Sequence, residues 1–265
     1  MPRRSPTILT PDDVARFERD GFVRVPEAFP AEVALELQSE VWAELAEDHD
    51  IRRDDPTTWR TPPHSPRRAK ESATNEKVGC ARFEGVISDL LGYEDWERPR
   101  TWGGFLITMP SGVERWELPT EIWHWDGAPN SRGLLIFSFY ADVAAGGGGT
   151  LLLAGSHRLV DGYYGSLTAE ELAQPHKMHR KAFSRWDPYL AGLTGRTREP
   201  GVDRTAKYMD EATDVRGVPC RVVELTGAPG DAVFCNLGMV HCASPNTEDV
   251  PRLMRSKFLF LDESP

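Results

Sequence analysis

The chain has no apolar run near the roughly 20 residues that cross a bilayer, so a membrane-spanning helix is not expected. A secretory leader is not expected either: the basic start, Arg3-Arg4, leads into polar, amphipathic sequence and not an apolar stretch. Its four cysteines (Cys80, Cys220, Cys235, Cys242) form no Cys-x-x-Cys pair, which predicts a reduced, cytoplasmic protein without a disulfide framework. It also lacks an excess of positive charge, with 31 Lys and Arg against 41 Asp and Glu. The net charge of −10 excludes the basic field of a general nucleic-acid binder. No internal repeat is visible.

What is present is a soluble composition, with 40% hydrophobic and 27% charged residues over 265 positions. This is enough for one large domain spanning 1–265. Thr10 with Asp13 makes a near-capping box, Pro11 takes the first helical position, and Gly21 ends a short amphipathic helix. Phe22-Val-Arg-Val-Pro alternates like a strand, and a longer helix opens at Pro30-Ala-Glu. Residues 48–79 are rich in Asp, Arg, Pro and Ser and predict a long surface loop or lid. Seven of them are basic (Arg52, Arg53, Arg60, Arg67, Arg68, Lys70, Lys77), an excess that suits either a solvated face or an acidic substrate. Short strand-like runs follow at 103–109, 122–126, 133–142, 150–154, 220–225, 231–236 and 253–261. Residues 161–217 interrupt them as a polar insertion or second lid. Helices first, then many short strands, predict a mainly β fold with supporting helices, a double-sheet barrel.

The chemistry begins at His124-Trp125-Asp126. On a strand, residues two apart share a face, so an imidazole and a carboxylate would stand side by side while Trp123 and Trp125 pack behind. A core histidine beside a turn aspartate would give the same tripeptide. His241, at the end of the apolar run Gly230 to Val240, offers the third ligand of a two-histidine, one-carboxylate set, which leaves coordination positions open and suits non-haem iron(II). Eleven positions on, Arg252 aligns with Met254, Ser256, Phe258 and Phe260 on one strand face, opposite Leu253, Arg255, Lys257 and Leu259. An inward arginine needs an anion, and a guanidinium grips a carboxylate with two parallel bonds. An internal Asp or Glu, or a surface position, would satisfy it equally. Arg255, on the opposite face, is expected to tolerate Ala.

These residues resemble the phytanoyl-CoA dioxygenase family of iron(II)/2-oxoglutarate oxygenases. The opening Leu9-Thr-Pro-Asp-Asp-Val-Ala-Arg-Phe-Glu-Arg-Asp-Gly-Phe-Val resembles that family's N-terminus, and His124-x-Asp126 its first metal motif. Gly149-Thr-Leu-Leu-Leu-Ala-Gly-Ser-His157 resembles its Gly-x-Leu-x-x-x-Pro-Gly-Ser-His segment, with Ala154 in place of proline. His241 and Arg252 match its second metal histidine and cosubstrate arginine in type and spacing. The likeness runs from about 9 to 261 and fails in 48–79 and 161–217.

The resemblance implies a double-stranded β-helix, or jelly roll, of the cupin-like kind. It implies iron(II), with 2-oxoglutarate and O2 as cosubstrates, and hydroxylation of an unactivated C–H bond in a small organic or natural-product substrate. Asp126 stands where related halogenases carry a small residue, which argues against halogenation. The family pattern also marks Thr108, with Leu106, Thr150 and Phe137 as cosubstrate-pocket residues; structural roles account for Thr150 and Phe137 equally. His157 is expected to anchor its turn, His176 and His179 to be solvated, Cys235 and Cys242 to fill core space, and Asn246 to shape the turn after His241. Ala243 replaces a usual serine, which removes one expected hydrogen bond. Two other readings remain at this stage: zinc hydrolase-like use of the same triad, and a non-catalytic ligand-binding jelly roll.

Overall fold

Gly133 to Phe139 is apolar throughout except at Ser138, and a run of this kind belongs to a strand covered on both faces. The computed structural model, which describes residues 5–129 and 131–261, shows such cover. Its strands are β1 (Phe22–Val25), β2 (Gly104–Thr108), β3 (Arg132–Phe139), β4 (Leu151–Ala154), β5 (Thr213–Val215), β6 (Val218–Glu224), β7 (Ala232–Asn236), β8 (His241–Cys242) and β9 (Arg252–Leu261). They form two antiparallel sheets, ordered β1-β7-β3-β9-β2 and β5-β6-β4-β8. Together they make a double-stranded β-helix.

Leu135, Phe137, Phe139, Val233, Cys235 and Met254 of the larger sheet meet Leu152 and Leu225 of the smaller in one interior cluster. Side chains of opposite parity, including Val23, Leu134, Ile136, Phe234 and Leu253, pack with helices α1 (Pro11–Asp20), α2 (Ala31–His49) and, beyond the four-residue α3 (Ala73–Glu76), α4 (Ala81–Leu91). Helix α1 starts with the expected capping box at Thr10 and Asp13, and Gly21 ends it at φ +85°.

The predicted polar insertion is an outer layer. It comprises α5 (Ser156–Gly165), α6 (Ala169–Leu172), α7 (His176–Phe183), α8 (Pro188–Leu193) and a π turn at Ala206–Asp210. Tyr163, Phe183, Tyr189, Leu190 and Tyr208 cluster with Leu151, Leu153 and Val222 of the smaller sheet. A few large rings, widely spaced, supply the apolar area, so no aliphatic period announces it. The expectation of solvated histidines fails for the same reason. His179 is buried beside the Tyr163 hydroxyl (3.4 Å), and His176 lies edge-on to Trp125.

Residues 48–79 are bound to α2 rather than free of it. The Glu44 carboxylate accepts the backbone N–H groups of Arg67, Arg68 and Ala69 at 2.6–3.1 Å, and the Thr74 hydroxyl donates to Glu36 and Glu40. The basic excess is largely met by acids outside or at the edge of the segment: Arg52 pairs with Asp50, Arg68 with Glu47 and Asp48, and Lys77 with Glu36. Of these acids Glu36 and Glu47, on α2, lie outside the segment and escape a charge tally over 48–79, whereas Asp48 and Asp50 fall within it.

Arg255 also departs from expectation. Its strand face does oppose that of Arg252, but the helices cover it and Arg255 is 0% exposed. The guanidinium donates to Asn75 Oδ1 (2.6 Å) and Gly103 O (2.7 Å) and lies over the Phe105 ring. Removing one partner of such charged, buried bonds leaves the others unsatisfied. Arg255→Ala is therefore expected to cost about 3 kcal/mol of stability, read as a lower midpoint in urea unfolding. A midpoint equal to that of the unaltered protein would contradict this assignment.

Candidate metal centre

The segment carrying His124 is not the strand that alternation predicts. Ile122 has φ +60°, a conformation costly for a β-branched residue, and only His124 forms a β-bridge. That bridge is reciprocal: His124 N–H donates to His241 O at 3.0 Å, and His241 N–H to His124 O at 2.7 Å. His241 itself is not on the strand that precedes it. β7 ends at Asn236, a turn follows, and His241 begins β8 in the other sheet, opposite Leu152. The Asn236 side chain accepts Gly238 N–H, and the Ser156 hydroxyl accepts Val240 N–H, which fix that turn. The chain thus changes sheets between Asn236 and His241 and delivers the imidazole to the barrel interior.

The two rings lie 4.3 Å apart between centroids. His124 Nδ1 donates to Ile122 O at 2.7 Å and His241 Nδ1 to Met239 O at 3.0 Å. A carbonyl only accepts, so each Nδ1 carries a proton and each Nε2 is the nitrogen left to face a metal. Burial, followed by the neighbouring His124, pushes the His241 pKa down to about 4, which keeps its ring neutral at physiological pH.

Asp126 completes the cluster. Its Oδ2 stands 3.4 Å from His241 Nε2 and 3.8 Å from His124 Nε2, and a donor atom from each of the three residues falls within 4.8 Å of the others. Oδ2 is buried and has no hydrogen-bond partner among the described residues. Two imidazole nitrogens and a carboxylate oxygen converge here, a donor set that a cation would hold together. Gaps of this size are spanned by metal–ligand bonds of about 2.0–2.2 Å. Two imidazoles and one carboxylate leave coordination positions open, as in non-haem iron(II) sites.

Arg252 is 5% exposed and faces the barrel interior with Met254. Its Nε has no partner, its Nη1 reaches only the Met254 sulfur at 3.6 Å, and among the described residues no carboxylate lies within 4.0 Å. Burial lowers its pKa to about 10, opposed by the more distant charge of Glu224. Thr108 stands directly across from it in register and Leu106 across from Met254. Arg252, Thr108 and Leu106 line a cavity of about 330 Å³ with residues of 61–65, the part of the first predicted lid that does approach the site. The Phe137 ring meets that of His241 at 5.9 Å, edge to face. Thr150 is buried, two residues before Leu152 and of the same strand parity.

The remaining expectations divide. Cys235 and Cys242 are buried and unpaired, as expected of fillers. Asn246 donates to Thr108 O and Val250 O and accepts from Glu248 N–H, fixing the return into β9. The serine absent at Ala243 has a neighbour in its place: Ser244 donates to Gly149 O at 2.8 Å. His157 lies in α5 and joins it to α1 through Glu18 O rather than serving its own turn. One site residue has no sequence signal. Arg180, on α7, donates to Asp126 Oδ1 at 3.0 Å. It lies in the insertion, among other basic residues, at no recognisable spacing.

The chain thus combines a double-stranded β-helix with a two-histidine, one-carboxylate cluster in which His241 is buried and His124 and Asp126 are partly exposed. No protein-family model matches the chain, and no curated protein matches it. Solved structures do. SnoK, a non-haem alpha-ketoglutarate-dependent carbocyclase from nogalamycin biosynthesis, is 20% identical over 97% of this chain and 87% of its own, with a TM-score of 0.57. AviO1 from Streptomyces viridochromogenes Tue57 is 15% identical over 98% of both chains, also at 0.57. The epimerase SnoN, in complex with Fe3+, alpha-ketoglutarate and nogalamycin RO, is 20% identical over 95% of this chain and 82% of its own, at 0.53. At these identities the likeness establishes the fold.

A metal that binds only the folded protein stabilises it by about 2.7 kcal/mol at a hundredfold excess over its dissociation constant. Cobalt(II), used as an oxygen-stable probe, is expected to raise the melting temperature of the unaltered protein but not of His124→Ala or His241→Ala. An equal rise in all three would place the metal elsewhere.

Proposed function

We propose that the protein is an iron(II)- and 2-oxoglutarate-dependent oxygenase that hydroxylates an unactivated C–H bond of a small organic or natural-product molecule. The observation that carries this reading is the buried guanidinium of Arg252, which has no carboxylate within 4.0 Å among the described residues, in a barrel that also offers the triad. A zinc hydrolase would use the triad and leave Arg252 without purpose, and a binding protein would have no need of the triad.

His124, Asp126 and His241 hold the metal. Arg252 receives the distal carboxylate of 2-oxoglutarate in a two-pronged, charge-assisted contact, and the Thr108 hydroxyl, opposite it in register, adds a hydrogen bond. Thr150 serves the same molecule, and Phe137 walls the pocket where it meets His241. Bound iron(II) supplies the redox chemistry that couples decarboxylation of 2-oxoglutarate by O2, giving succinate and CO2, to attack on the substrate C–H bond. The buried setting of His241 and Arg252 excludes water from that region. Asp126 keeps the carboxylate in the ligand set, which favours hydroxylation over halogenation. The structurally similar SnoK and SnoN are a carbocyclase and an epimerase, so product analysis belongs in the test. Four unpaired cysteines agree with a reducing, cytoplasmic setting, and no helix among the described residues is long and apolar enough to cross a membrane.

The test is anaerobic titration with iron(II) and 2-oxoglutarate, followed by oxygen-dependent succinate formation in the presence of pooled small molecules. Loss of a bidentate contact to a buried charge costs on the order of 2–5 kcal/mol, and 1.4 kcal/mol is about tenfold. Arg252→Ala is therefore expected to weaken 2-oxoglutarate binding roughly thirtyfold or more, with iron affinity little changed. Arg252→Lys recovers part of the loss, because the charge stays while the planar fork goes. Unchanged 2-oxoglutarate binding in Arg252→Ala would sink the assignment.

A further inference from the structure

The two carboxylate oxygens of Asp126 have different surroundings. Oδ2, the oxygen near the imidazole nitrogens, accepts no hydrogen bond among the described residues, whereas Oδ1 accepts one from Arg180 Nη2 at 3.0 Å. The same guanidinium donates through Nε and Nη2 to Trp125 O at 2.9 and 2.6 Å. Arg180 thus holds both the ligand side chain and the peptide that precedes it. Helix α7 grips this dipeptide a second way, since the buried Trp125 ring packs edge-on against Phe183 at 5.0 Å and His176 at 5.3 Å.

We propose that Arg180 is a positioning residue that confines Asp126 to offering a metal one oxygen instead of two. This rests on the metal-centre reading above. A carboxylate binds a cation through one oxygen or both. An arginine hydrogen bond to an ionised oxygen is among the stronger polar contacts, and the planar guanidinium holds its donors in fixed directions. Arg180 therefore competes with the metal for Oδ1 and leaves it Oδ2. The count of ligands shows the effect. In a six-coordinate ion, two imidazole nitrogens and one oxygen leave three positions free. A chelating carboxylate leaves two, and a 2-oxo acid bound through its carboxylate and ketone fills both. With Asp126 offering one oxygen, the same 2-oxo acid would leave one position for O2, kept open by a residue that is not itself a ligand.

A purely structural role for Arg180 and this one predict opposite changes in metal affinity. Without Arg180 the carboxylate is free to chelate, and a positive charge leaves the neighbourhood of the cation. Metal binding should hold or tighten while the 2-oxo acid loses ground. The experiment compares the unaltered protein with Arg180→Met, Arg180→Gln and Arg180→Lys. The probes are cobalt(II) alone and then N-oxalylglycine, a 2-oxoglutarate mimic, added to the cobalt-loaded protein. Arg180→Gln retains a donor for Trp125 O and guards against a failure to fold, and melting temperature and circular dichroism check each variant. The Met and Gln variants are expected to bind cobalt as tightly as the unaltered protein or several-fold more tightly, with an altered visible spectrum. N-oxalylglycine should bind them at least tenfold more weakly, and Arg180→Lys should fall between.

An unchanged cobalt spectrum in well-folded variants would overturn the proposal. So would weaker cobalt binding that tracks a lower melting temperature. If the unaltered protein binds cobalt but not N-oxalylglycine, the 2-oxoglutarate reading fails, and the spectra still decide the role of Arg180.

Discussion

Two backbone hydrogen bonds, exchanged between His124 and His241, hold this molecule's chemistry together. Neither histidine belongs to an extended strand: one sits in an isolated bridge and the other in a strand of two residues. The reciprocal pair sets the imidazoles side by side, and each ring is then turned by a bond from its own Nδ1 to the carbonyl two residues earlier. The same short motif appears on both sides of the bridge. Ring orientation is therefore fixed by main chain, which side-chain rearrangement elsewhere in the barrel does not disturb. The strained backbone at Ile122 fits this arrangement, because its carbonyl is the one that orients His124.

The fold and the triad were legible in the sequence to the extent that local rules governed them. The helix start at Thr10, the unbroken run of β3 and the alternation of β9 all announce their elements. His124, Asp126 and His241, far apart in sequence, do converge, and Arg252 is buried on the inward face of β9. What was not legible required knowledge of contacts far apart in sequence. Arg255 shares a strand with Arg252, and alternation correctly assigns them to opposite faces, but only the tertiary structure shows that both faces are covered. The basic run in 48–79 looked less opposed than it is because two of its partners, Glu36 and Glu47, lie outside it on α2. The sheet change before His241 depends on the turn at Asn236, which an apolar run from 232 to 241 conceals.

The insertion shows the sharpest contrast. By composition 161–217 is a polar excursion. In the structure it closes one side of the barrel with aromatic rings and carries Arg180 to the metal carboxylate. A single segment thus serves both packing and site geometry. This also separates the chain's two stretches of weak resemblance, since 61–65 approaches Arg252 and α7 approaches Asp126.

Arg252 has a consequence for how the protein is maintained as well as for what it binds. A guanidinium removed from water, with no carboxylate within 4.0 Å among the described residues, works against folding unless an anion pairs with it. The ligand that neutralises it would act as a missing piece of the core. An anion that paired with the guanidinium only in the folded chain would raise the stability of the whole barrel and not just that of its pocket.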